Sequence, residues 1–291
     1  MKSFPVPVRS IGPGSQPTEE DTLAVLDMPR DVTPFQMPRV PERVDPQALA
    51  AARDLLQRWH DALDRWDPAA VRHGPQLDLS GTAPAVLAIV NDVLGEGEVA
   101  IRIAGDPEWR IQESVFPGYW RCLQLDAQGQ VLRDWLEAGP VPVVVGECAR
   151  AAAGEVLRPV ELPPGAMNSP ALLAEIGGRC AALREGDKAG VINLTLLPMS
   201  PDDHAVLEQA LPVGPVVMIS RGFGNCHVSS TLTRGVWRVQ YFNSARTLIL
   251  NTLEIVDMPE AAVAAADDLV DSRERLAELV QWMGESLDEA S

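Results

Sequence analysis

The stretch "RGFGNCHV", residues 221–228, sets a thiol beside an imidazole. These two groups serve as nucleophile and base, or as soft metal ligands. The spacing argues against both uses. Adjacent residues on a strand point to opposite faces, so Cys226 and His227 would share neither a proton nor a metal ion. Cys226 reads as a small buried apolar residue, and His227 as facing the other way. The Gly-Phe-Gly looks like half of a dinucleotide fingerprint. It lacks the third glycine, and "VSSTLT" after it reads as strand where that fold needs a helix.

The rest of the chain offers little chemistry. His60, His73 and His204 stand apart, with no H-x-x-x-H or H-E-x-x-H spacing. Cys122, Cys148, Cys180 and Cys226 form no C-x-x-C, so neither a closed zinc site nor a disulfide framework is expected. Glu113, in "WRIQESVF", alternates onto the face of Trp109, Ile111 and Val115. A carboxylate on an apolar face must be paired or titrate high; the reading here is a glutamate at the margin of a sheet. There is no Ser-His-Asp logic, no Walker loop and no carboxylate pair of obvious spacing. The expectation is a protein that is not an enzyme and carries no cofactor or metal.

Composition narrows the partners. The chain has 291 residues and a formal net charge of −17. That balance argues against gripping nucleic-acid backbones or anionic lipid, which both require a basic face. It leaves a solubilising surface, or one that receives a basic segment of a partner. The opening "MKSFPVPVRSIGPGS" has no apolar signal core, and no apolar run reaches the roughly 20 residues of a membrane span. With scattered free cysteines, a cytoplasmic location is expected.

The elements that position these residues are written twice. "PGYWR" at 117–121 echoes "RGVWR" at 234–238, which sets Trp120 and Trp237 117 residues apart. At that offset Leu77 meets Leu194, Pro84 meets Pro201 and Gly97 meets Gly214. Gly118, Arg121, Glu137 and Pro142 meet Gly235, Arg238, Glu254 and Pro259. Two copies of one unit are therefore expected, forming a pseudo-symmetric pair. The fold class is α+β: each copy a set of helices and a mainly antiparallel sheet, preceded by an extended Pro-rich arm. The boundaries are an arm at 1–45, a first copy at 46–156, a Pro-rich linker at 157–169 and a second copy at 170–291.

Within the first copy, Leu49, Ala52, Leu56, Trp59, Leu63 and Trp66 make one helical stripe over 46–66. A short strand at 76–80 and a helix at about 83–94 follow. Strands are then expected at 98–104, 109–116, 119–125 and 131–137. The second copy repeats them at 191–197, 201–211, 215–221, 226–232, 236–242 and 247–254. A closing helix spans about 259–283, with Leu269, Leu276, Val280 and Met283 on one side. Gly118 and Gly235 suit turns, and Trp120 and Trp237 suit the core. A hairpin centred near residue 129 would place Arg121 opposite Glu137, and the same geometry pairs Arg238 with Glu254. Two structural cross-strand ion pairs are expected.

Several stretches, in order along nearly the whole chain, carry a likeness to known proteins: "IGPGSQPTEEDTL", "LGEGEVAIRI", "IQESVFPGYWR", "INLTLLPMSPDD", "ISRGFGNCH", "GVWRVQYFNS" and "LILNTLEIVDMPEAA". They resemble the HupH/HyaF (HoxQ-like) family of hydrogenase expression/formation proteins. The resemblance implies an accessory factor for maturation of a membrane-bound uptake nickel–iron hydrogenase. It implies a chaperone acting on the iron–sulfur small subunit precursor before twin-arginine export, together with a thioredoxin-like accessory protein. It implies no cofactor. Two alternatives stay open: an iron–sulfur or metal carrier using Cys226, and a non-catalytic scaffold of the maturation complex. The segment at 221–228 is where the copies differ most, since the first has "AGDPEWRI" there. With the resemblance, that divergence points to Arg221, Asn225, Cys226, Tyr241 and Asn243 as the partner-binding residues.

Overall fold

The structure is a computed structural model and describes residues 45–68, 73–221 and 225–289. The Pro-rich arm lies outside the described residues. Those residues form six helices and one ten-stranded antiparallel sheet.

The first copy contributes α1 (Pro46–Asp64), β1 (Gln76–Asp78), α2 (Pro84–Leu94), β2 (Val99–Ile103), β3 (Glu108–Glu113), β4 (Tyr119–Leu125), β5 (Val131–Ala138) and α3 (Val143–Ala152). The second contributes α4 (Ser169–Ala182), β6 (Gly190–Asn193), α5 (Pro201–Ala210), β7 (Val213–Ser220), β8 (Asn225–Thr231), β9 (Val236–Phe242), β10 (Leu248–Ile255) and α6 (Ala266–Glu289). The segment expected as a strand at 191–197 divides into β6 and a 3-10 turn at Leu194–Leu196. The closing helix begins later than expected, after a separate 3-10 turn at Glu260–Ala262.

Local chemistry sets the boundaries. Pro46 opens α1 behind Asp45, whose carboxylate accepts from Gln47 N. Ser200 and Asp203 form a reciprocal capping box at the start of α5. Asp203 does more than cap. Its Oδ1 also accepts from Met167 N, Asn168 N, Ser169 N and Ser169 Oγ, at 2.8–2.9 Å. One fully buried carboxylate thus ties the end of the linker to α5.

The strands run in the order β1-β5-β4-β3-β2-β7-β8-β9-β10-β6. The two halves meet at β2 and β7, where Ile101 stands opposite Met218. One face of the sheet carries a single core across both halves, from Trp135 and Trp120 through Ile101 and Met218 to Trp237, with α3 against it. The other face carries α1, α2 and α6 over the first half, and α4 and α5 over the second. The closing helices cross over. α3 follows the first copy but packs on β7, and α6 follows the second but packs on α1. None of the described helices is long and apolar enough to cross a membrane.

Candidate functional site

The repeated Gly-x-Trp-Arg units fix the frame. Gly118 and Gly235 have φ of 79° and 70°, the left-handed region where a side chain is strained. Each glycine turns the chain into a strand whose second residue is a buried tryptophan. Trp120 Nε1 donates to Gly139 O at 2.9 Å, and Trp237 Nε1 to Val256 O at 3.2 Å. The tryptophans are core residues, as expected.

The arginines do not pair as expected. Across β4 and β5, Arg121 faces Leu136, while Glu137 faces Trp120. A register one residue away from the expected one moves Glu137 to the other side of the sheet. There it is buried and accepts from Gln76 Nε2, Trp135 Nε1 and Val143 N, the last being the first residue of α3. Arg121 turns to Asp134 instead. Its Nη2 and Nε reach Oδ2 and Oδ1 at 2.7 and 3.1 Å, and its Nη1 donates to Asn91 of α2. In the second copy Arg238 faces Leu253, and Glu254 faces Trp237. Glu254 lies on the shared core face, where burial and nearby Glu260 raise its pKa. Neither expected ion pair exists.

The second copy leaves its arginine open. Arg238 is half-buried and makes no hydrogen bond or ion pair among the described residues. Burial pushes its pKa down, and Glu208 of α5 only partly offsets this. The positions matching Asp134 and Asn91 are Asn251 and Glu208, so acid and amide have changed places. Asn251 is 8% exposed, and its Oδ1 has no partner. The exchange is visible in the sequence at the 117-residue offset.

The five candidate residues fall in different places. Cys226 and Tyr241 stand opposite each other on β8 and β9, on the shared core face. The Tyr241 hydroxyl and the Cys226 thiol are close enough for each to influence the other's titration. Burial is the main cause that pushes the Cys226 thiol up to about 11 and the Tyr241 phenol to about 12. At 1% exposure Cys226 is the buried apolar residue expected, held as a thiol. His227 points to the opposite face, against Phe242 with ring centroids 4.7 Å apart, and Asn225 pairs with Phe242 on that side. Asn243 serves its own turn, its Oδ1 accepting from Ala245 N and Thr247 N at 2.9 Å. Arg221 N donates to Glu98 O at 3.1 Å. Residues 222–224 of the divergent segment lie outside the described residues. The sheet therefore brings Cys226 and Tyr241 together and separates them from Asn225 and Asn243. Among the described residues no three of His, Cys, Asp and Glu gather as a metal site.

Glu113 closes β3 and is buried, which a place at the sheet margin did not anticipate. Its Oε1 accepts from Gly118 N at 3.1 Å. Burial is the largest cause that raises its pKa, to about 7.

Comparison with known proteins accounts for the duplication. The family described as "HupH hydrogenase expression protein, C-terminal conserved region" matches twice, at residues 49–155 and 166–283. The chain is 42% identical to the hydrogenase expression/formation protein HoxQ of Cupriavidus necator, over 98% of this chain and 99% of that one. It is 42% identical to HupQ of Azotobacter chroococcum, over 92% and 94%, and 38% identical to HupH of Rhodobacter capsulatus, over 97% and 98%. A unit matched twice at the places where the sheet repeats, and relatives that extend over nearly every residue, make this chain a member of the HupH family of hydrogenase expression/formation proteins.

Proposed function

We propose that this protein is a non-catalytic, chaperone-like accessory factor in maturation of a membrane-bound uptake nickel–iron hydrogenase. In this reading it binds the iron–sulfur small subunit precursor in the cytoplasm, before export, beside a thioredoxin-like accessory protein. The observation that carries the reading is the near full-length likeness to proteins named for hydrogenase expression and formation. The net charge of −17 supports a surface that receives the basic signal segment of the immature subunit. The metal-carrier alternative draws no support from Cys226, whose buried, protonated thiol is a poor ligand.

The test is retention of the small subunit precursor on the immobilised protein, with and without its signal segment. Retention that requires the signal supports a chaperone at the export step. Retention regardless moves the contact to the body of the subunit. If nothing is retained while other accessory proteins are, the scaffold alternative replaces the chaperone reading.

A further inference from the structure

Arg121 and Arg238 hold the same place in the two copies, and only one of them is closed. Arg121 is neutralised by a two-point bond to Asp134 and a third bond to Asn91. At Arg238 the strand position carries the neutral Asn251, and the helix position carries Glu208, which is exposed and makes no ion pair within 4 Å among the described residues. A guanidinium offers five N–H donors in a fixed fork that matches a carboxylate. Here the fork is half-buried, so water cannot fully replace the missing acid. Beside it, the side-chain amide of Asn251 is buried with its Oδ1 unpartnered. A guanidinium with no protein partner among the described residues and an unsatisfied amide oxygen thus stand where the other copy has a closed bond.

We propose that Arg238 and Asn251 form a docking point for a carboxylate side chain presented by a partner polypeptide. The carboxylate would occupy the place that Asp134 fills in the first copy. It would accept from the Arg238 guanidinium and, with the amide turned over, from Asn251 Nδ2. In a chain of net charge −17, a half-buried cation that no acid of the described residues bonds, Glu208 acting on it only from a distance, is a specific complement to one acidic residue. One guanidinium and one amide are too few convergent groups to hold a small anion against water. The carboxylate therefore arrives within a larger contact, where a desolvated arginine carries much of the specificity. That the partner is the immature iron–sulfur subunit rests on the function proposed above.

Asn251→Asp tests the site without removing anything from it. It restores the acid of the first copy and closes Arg238 internally. The variant should unfold at higher urea than the wild type and bind the precursor at least about tenfold more weakly. Arg238→Gln should weaken binding as well. Independently of the precursor, the Nε–Hε resonance of Arg238 should shift saturably as acetate replaces chloride at constant ionic strength. It should not shift in Asn251→Asp. An Arg238 resonance indifferent to acetate in the wild type overturns the site. Equal retention of the precursor by the wild type, Asn251→Asp and Arg238→Gln overturns its role in docking. A wild type that retains no precursor overturns the proposed function, and the acetate titration still decides the site.

Discussion

Ile101 of β2 and Met218 of β7 face each other across the join of the sheet, and they are the same residue of the repeat, 117 positions apart. Their neighbours confirm the symmetry: Ala100 faces Ile219 and Arg102 faces Val217. A pseudo-two-fold axis normal to the sheet passes between Ile101 and Met218. Both belong to one core that spans the two copies. Each copy also lends its closing helix to the other, α3 to β7 and α6 to α1. Separating the copies would open the edges of β2 and β7, uncover the shared core and strip each half of a helix. Fragments 1–156 and 157–291 are therefore expected to lack cooperative unfolding when alone. They should regain it, with native circular dichroism, when mixed. A second-copy fragment that melts cooperatively by itself would refute this.

Gly118 and Gly235 are predicted to differ from other turn glycines. Alanine at φ of 79° or 70° costs about 1–2 kcal/mol from backbone strain alone. At Gly118 the added carbon would also meet Leu269 of α6, and at Gly235 it would meet Leu183. Gly129 has φ of 78° but open space around it. Gly118→Ala and Gly235→Ala should each lower the urea midpoint more than Gly129→Ala does. Equal losses at all three would mean that the packing against the leucines contributes nothing.

The sequence made some of this legible and hid the rest for physical reasons. The offset between Trp120 and Trp237, the helix start at Ser200 and the alternation of Val99, Ile101 and Ile103 all report local chemistry, and all appear in the fold. The pairing of Arg121 did not. A hairpin symmetric about one residue pairs positions of like parity, which would join Arg121 to Glu137. The strands instead bulge at Leu132, since Gln124 faces Arg133 while Leu125 faces Val131. The extra residue changes the parity and turns Glu137 to the opposite face. The crossover of α3 and α6 was equally hidden. An apolar stripe says that a helix packs, not against which copy. The candidate site was legible only in part. Cys226 and Tyr241 meet through strand pairing that a linear reading does not supply. The open Arg238 shows only when Asp134 and Asn251 are compared at the same position.

Asp203 is predicted to be the acid on which the linker depends. Burial alone would raise its pKa, but the bonds from Ser169, Ser200 and Asn168 outweigh that and hold it below the ordinary carboxylate range. A depressed folded pKa contributes stability that is present above the unfolded value of about 4 and lost as pH falls through the folded value. Asp203→Asn should cost about 2–3 kcal/mol at neutral pH, the worth of hydrogen bonds to a charged acceptor. It should also remove part of the loss of stability on acidification below pH about 4. Urea unfolding at pH 7 and pH 3.5 measures both effects. A variant as acid-sensitive as the wild type would place the sensitivity elsewhere.

Glu113 is predicted to act in the opposite direction. Burial raises its pKa from 4.5 to about 7, against the hydrogen bonds from Gly118 and Val99, with nearby Glu98 and Asp268 adding to the rise. For a carboxyl raised on folding, the folded state favours the protonated form. Its contribution is complete below the unfolded value, declines as pH rises from about 4.5 to about 7, and is constant above that. At 1.36 kcal/mol for each unit, the decline amounts to roughly 3 kcal/mol. The wild type should be more stable at pH 5 than at pH 8. Glu113→Gln keeps an acceptor for Gly118 N and has no charge to bury, so its stability should vary less over that interval. Urea midpoints at pH 5, 6, 7 and 8 for both proteins give the comparison. Parallel curves would mean that Glu113 stays ionised in the fold, and that the bonds from the Gly118 turn stabilise its charge more than burial opposes it.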